Sequence, residues 1–136
     1  MIAFLSGIVV SMKFKAEIEN SIVVLSVSSI VSDVDLEEFK VWVESVKSVV
    51  HELYDKIGGP IPILVDVSEL KEYRPEAFEL LAKLLKHDEP LTSKIALLGT
   101  TSFLNSSKDA LSAYANVKTP MESFTSIEEA LAWLSN

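Results

Sequence analysis

Two histidines, His51 and His87, are the only imidazoles in the chain, and there is no cysteine. Zinc needs clustered nitrogen or thiolate donors, and no His-x-x-x-His pair supplies them, so no metal or cofactor is expected. Thiolate catalysis and disulfides are excluded by composition. A serine paired with either histidine would need a nucleophile elbow or an oxyanion-type glycine motif, and neither occurs. Both histidines read as solvated positions on helices. Asp66 ends an apolar run, the place where layered α/β proteins carry functional groups. With Ser68 two residues on, it also reads as the cap of a turn. Gly99-Thr100-Thr101-Ser102 offers backbone N–H groups to an anion. No Gly-Lys-Ser/Thr is present, so it is not a nucleotide-binding loop. The plainer reading is a polar turn that caps Asn105 or Ser107. Asn105-Ser106-Ser107 also matches a glycosylation pattern, which means little in a chain expected to be cytosolic.

Composition narrows the partners. The 136 residues suit one domain with a real core. The formal charge is −8 and Arg74 is the single arginine. Phosphate neutralisation needs a basic face, so nucleic acid is not an expected partner. Apolar residues make up 49% of the chain. That excess points to strands covered on both faces, with a remainder buried by a partner or ligand. The stretch Met1–Met12 is apolar but far short of the ~20 residues needed to span a bilayer. Lys13 and Lys15 follow it, whereas an export signal carries its basic residues first. Residues 1–11 therefore read as a start-site extension or an extra strand, and 12–136 as one domain. The expected location is cytoplasmic, with no stable membrane insertion.

These residues must be positioned by recognisable elements. Lys13–Glu19 alternates, with Phe14, Ala16 and Ile18 on one face, as a half-buried strand does. Asn20-Ser21 predicts a turn, and Ile22–Ile30 a second strand paired antiparallel to the first. Asp35, followed by Glu38, marks a helix start. That helix runs to about Ile57 on a stripe of Leu36, Phe39, Val43, Val46, Val50, Leu53 and Ile57, widened by Trp42 and Val49. Gly58-Gly59-Pro60 stops it. Ile61–Val67 is a central strand. Pro75 suits the first turn of a helix over Glu76–Lys86 that buries Phe78, Leu81, Leu84 and Leu85. Lys94–Gly99 and Met121–Phe124 are further strands, with a helix near Ser107–Ala115 between them. Ser126 and Glu129 form a capping box for a last helix ending at Leu134. The order is β-β-α-β-α-β-α-β-α. It specifies an α/β domain with a mixed five-stranded sheet, right-handed crossovers and helices mainly on one face.

Three stretches carry a resemblance: Ile63-Leu64-Val65-Asp66-Val67-Ser68, Lys94-Ile95-Ala96-Leu97-Leu98-Gly99, and Phe124 to Leu134 with its terminal Ala130-Leu131-Ala132-Trp133-Leu134. In this order and spacing the chain resembles the STAS / SpoIIAA-like superfamily, the fold of anti-anti-sigma factors, and more closely its bacterial STAS/SEC14-type branch. The resemblance covers the chain from about Met12 onward. It implies a non-enzymatic regulatory or binding module. It also exposes a departure. Anti-anti-sigma factors carry an Asp-Ser-Ser-Gly stretch, with a phosphorylated serine, at the start of the second helix. Here Arg74-Pro75-Glu76-Ala77 stands there, without a hydroxyl. In related lipid-carrier folds an apolar groove between sheet and helix holds a lipid-like molecule.

Three functions follow as expectations. The first is a protein-interaction module, as a homodimer or with another protein, marked by an exposed apolar patch of Tyr73, Pro75 and Phe78. The second is a carrier or sensor of a small apolar ligand, in a groove between the long helix and the sheet lined by Phe39, Trp42, Val46 and Phe78. The third, placed last, is an enzyme, which needs polar groups converging around Asp66, Ser68 and Thr100. Thr101 joins Thr100 as a loop residue able to meet a ligand or partner. A phospho-accepting aspartate at Asp66, as in receiver domains, would need an acidic pair after the first strand, where Ser28-Ser29 stands.

Overall fold

The structure, a computed structural model, describes residues 3–5, 8–10, 13–101 and 118–136. The helix expected near Ser107–Ala115, and the capping of Asn105 or Ser107, lie outside the described residues.

Among the described residues, seven strands form one sheet in simple chain order. They are β1 (Ala3–Leu5), β2 (Ile8–Val10), β3 (Phe14–Glu19), β4 (Ile22–Val27), β5 (Ile61–Asp66), β6 (Thr92–Leu98) and β7 (Met121–Phe124). The first four pair antiparallel, and β4 to β7 run parallel. The sheet is therefore mixed, and β3 to β7 are the five strands that the sequence pattern predicts. The two short strands before them extend the same sheet. Three helices are described: α1 (Asp33–Ile57), α2 (Pro75–His87) and α3 (Ile127–Leu134).

Sheet alternation sorts the core into two layers. Val23, Leu25, Ile63, Val65, Ile95 and Leu97 face α1 and α2. Ile22, Leu64, Ala96 and Leu98 face the other way, where Ala130 and Leu134 of α3 cover them. Two crossovers that step the same way along a sheet, with the same hand, put their helices on one face. The last helix follows the last strand, is no crossover, and folds back over the opposite face. Lys94 fastens it, donating from Nζ to the carbonyls of Trp133 and Asn136 at 2.8 and 2.9 Å.

Helix α1 begins earlier than its expected start at Asp35. Ser32 is the N-cap and Asp35 the third helical residue of a reciprocal capping box. Both are capping types, and Ser32 reaches the Asp35 N–H at 3.0 Å. Gly58 ends the helix with φ +84°, a left-handed conformation that glycine adopts without strain. Ile57 was expected in the apolar stripe and is 46% exposed. It lies a turn beyond Leu53, as the last residue of the helix. Trp42 packs with Phe14 and Phe39, ring centroids 5.3–5.7 Å apart, so one aromatic cluster joins β3 to α1. Pro62 lacks an N–H for a central ladder, and the β5–β6 register shifts between Ile61 and Pro62.

The β3–β4 hairpin closes through two left-handed residues, Asn20 at φ +52° and Ser21 at φ +65°. Two-residue loops of this hand match the twist of the strands, but only glycine adopts the conformation freely. Replacing Ser21→Gly should raise stability by about 0.5–1 kcal/mol, read as a higher urea midpoint with an unchanged slope.

Candidate functional site

Adjacent parallel strands end together at one edge of the sheet. Val27, at the end of β4, Val67, just past β5, and Leu97 of β6 form the floor of an apolar groove. Phe39 of α1 is one wall, and Ala77, Phe78 and Leu81 of α2 are the other. Ile30, Leu70 and Tyr73 close it from the loops. Carboxyl ends of parallel strands are the usual place for a binding site in α/β sheets. The enclosed space is about 20 Å³, room for little more than one water-sized group. Among the described residues, no carboxylate, amine, imidazole or serine lines it. Tyr73 stands at the mouth, 39% exposed, and stacks on Phe78 with ring centroids 6.2 Å apart.

The loop that carries Tyr73 is clipped to the segment after β4. Ser29 Oγ accepts the backbone N–H groups of Lys71 and Glu72 at 2.9 and 3.1 Å. The Ile30 N–H donates to the Glu72 carbonyl, and Ile30 bridges Tyr73 in parallel. Arg74, at the N-cap of α2, pairs with Asp33 in the first turn of α1. The two helix starts are thereby tied across the groove.

Beneath this rim lies a carboxylate that accepts three hydrogen bonds on one oxygen. Asp35 Oδ2 accepts from Lys13 Nζ at 2.9 Å, from the Val31 N–H at 3.1 Å and from the Ser32 N–H at 3.3 Å. Lys13 Nζ also donates to the Ser29 carbonyl at 3.2 Å. The Lys13 ammonium, then the Val31 N–H, hold the Asp35 carboxyl at about 2, against a usual value of 3.8, with burial opposing them.

The expected site residues divide. Phe39, Tyr73 and Phe78 do meet at the groove. Trp42 and Val46 do not: both are fully buried in the core between α1 and the sheet. The space that a ligand would need there is filled by their own packing. Asp66 accepts the Ser68 N–H and hydroxyl at 3.0 and 2.6 Å, forming a local turn. Its strand register, with Ser26 and Leu98, puts it on the face away from the groove. Thr100 and Thr101 are exposed and outside the lining. Both histidines are exposed, His51 beside Asp55 and His87 beside Asp88, whose carboxyl is pushed up by its own burial. Among the described residues no group of three metal-ligating side chains converges, and no helix is long and apolar enough to cross a membrane. The groove residues that sequence reasoning missed are chiefly Val27, Val67, Leu70 and Leu97. Their signal was positional, since three of them fall at or near the ends of neighbouring strands.

The fold is of the SpoIIAA-like α/β type. An uncharacterised DUF3478-family protein with a SpoIIAA-like fold from Shewanella loihica PV-4 matches with a TM-score of 0.62 and 19% identity over 98% of each chain. An anti-sigma factor antagonist from Mycobacterium paratuberculosis matches with a TM-score of 0.62 and 12% identity, over 93% of this chain and 96% of that one. The chain belongs to the family described as "Domain of unknown function (DUF7793)", which matches residues 16–136. No curated protein matches it.

Stability linked to Asp35 is present above its unfolded pKa and is lost as the folded carboxylate protonates. Asp35→Asn should cost about 1–2 kcal/mol at neutral pH. The gap to the parent chain should close as pH falls from about 4 to about 2. Urea unfolding at a series of pH values checks this, and a gap that persists at the acid end would remove the charge as its source.

Proposed function

We propose that this chain is a non-catalytic regulatory module, acting in the cytoplasm, that docks a protein partner at the Tyr73–Phe78 mouth of the groove. One observation carries the reading: a partly exposed ring is stacked over an apolar recess too small for a free ligand. Such a recess suits a single side chain of a partner, surrounded by a rim that excludes water. The likeness in fold to an anti-sigma factor antagonist supports regulation through a protein contact. The homodimer that the sequence also suggests would bring a like-charged copy to this mouth, in a chain of net charge −8, so a different protein is the partner proposed.

The usual serine switch is not part of this reading. Arg74-Pro75-Glu76-Ala77 opens α2, and Arg74 is engaged with Asp33. A carrier of a lipid-like molecule has weaker support. Small-molecule sites commonly enclose about 300–1,000 Å³, and Phe39, Trp42 and Val46 are all buried in the core.

Tyr73→Asp removes the apolar anchor and puts a charge at the mouth. A protein that co-purifies with the tagged wild-type chain should bind this variant at least about tenfold more weakly, the scale of a central interface residue. Glu19→Lys, an exposed change on β3, should leave binding intact. Equal capture by both variants, with both melting like the parent, would end the proposal.

A further inference from the structure

We infer that the partner segment at this mouth is a basic amphipathic helix with a short aliphatic side chain as its anchor, an inference that rests on the docking role proposed above. Three observations lead there.

The strands under the groove offer no free edge. Strands β4, β5 and β6 each have a neighbour on both sides, so an incoming strand cannot add to the sheet at this point. Recognition must go through side chains projecting from the partner, as an amphipathic helix in a groove presents them. The recess between Phe39, Leu70, Tyr73 and Phe78 is about 20 Å³. It accepts the tip of a valine, isoleucine or leucine and has no room for an aromatic ring.

Charge selects the sign. The loop and helix start around Tyr73 carry Glu69, Glu72 and Glu76, all exposed, against Lys71 and Arg74. Arg74 is already paired with Asp33. Glu76 lies in the first turn of α2 and answers the positive end of that helix. Glu69 and Glu72 remain against Lys71, in a chain of net charge −8. An acidic segment would meet both the local and the overall field, and a basic one is steered inward. A second copy of this chain brings the same acidic rim to the contact, so self-association through this mouth is disfavoured.

Three synthetic peptides of one leucine pattern, with Lys, Gln or Glu at every polar position, separate the possibilities. The isotope-labelled full chain is titrated with each, and amide shifts are followed by NMR. The Lys peptide should shift Leu70, Tyr73, Ala77 and Phe78, bind at least tenfold more tightly than the Glu peptide, and weaken several-fold at high salt. Tyr73→Ser should reduce that binding at least fivefold. The double change Glu69→Lys with Glu72→Lys should reverse the order of the Lys and Glu peptides. If the Gln or Glu peptide shifts the same amides with equal affinity, docking at the mouth stands and the basic preference falls. If the Lys peptide spreads its shifts over acidic surface, indifferent to Tyr73→Ser, the inference fails as unspecific attraction. If no peptide moves the groove amides, both the inference and its parent proposal fail.

Discussion

A single carboxylate oxygen holds the functional end of this fold together. Asp35 Oδ2 gathers the Lys13 ammonium and the N–H groups of Val31 and Ser32. The donors come from two places, Lys13 just before β3 and the adjoining residues Val31 and Ser32 that lead into α1, while the acceptor sits in the first turn of α1. A charge this buried is costly unless each lone pair is answered, and here several donors answer it. Lys13 extends the network to the Ser29 carbonyl, and the Ser29 hydroxyl holds the loop before α2. The position of Tyr73 thus depends, two bonds away, on a partly buried ion pair in a different part of the chain.

The sheet supplies the rest of the geometry. Parallel strands taken in chain order bring three carboxyl ends side by side, and two crossovers of one hand put α1 and α2 above them. Between the two helix starts, the described side chains that close over the sheet come from loops. That gap is the groove. Farther along α1 the aromatic cluster of Phe14, Phe39 and Trp42 fills the same layer completely. One helix therefore has a sealed section and an open section, and the boundary falls at Phe39, which belongs to both.

The periodic elements were legible from the residues because their apolar spacing has one physical meaning. The alternation of Phe14, Ala16 and Ile18, the stripe from Leu36 to Leu53, and Pro75 at a first turn all correspond to observed structure. Short or aperiodic pieces were less legible. Residues 3–5 and 8–10 are apolar at every position and so carry no alternation to mark a strand. Asp35 looked like a cap because caps and third helical residues share the same side-chain types, and only the backbone separates them. Trp42 looked like a groove residue because a helical stripe does not say how far the sheet extends beneath it. The groove itself joins Val27, Val67 and Leu97, which are about 30–40 residues apart in sequence, a separation that no local pattern spans.

Strand order in this sheet has a kinetic consequence. Each strand's partner is the strand before it in the chain, so no pairing waits for a distant segment. During synthesis, a chain that emerges from its amino end can add each β-α unit to an edge already formed, which shortens the exposure of unpaired apolar strands. The exception is the far side of the sheet. Ile22, Leu64 and Ala96 stay uncovered until α3 arrives and Lys94 grips its carbonyls. The nascent chain therefore carries one apolar face open to chaperones or to aggregation until its last turn of helix is made.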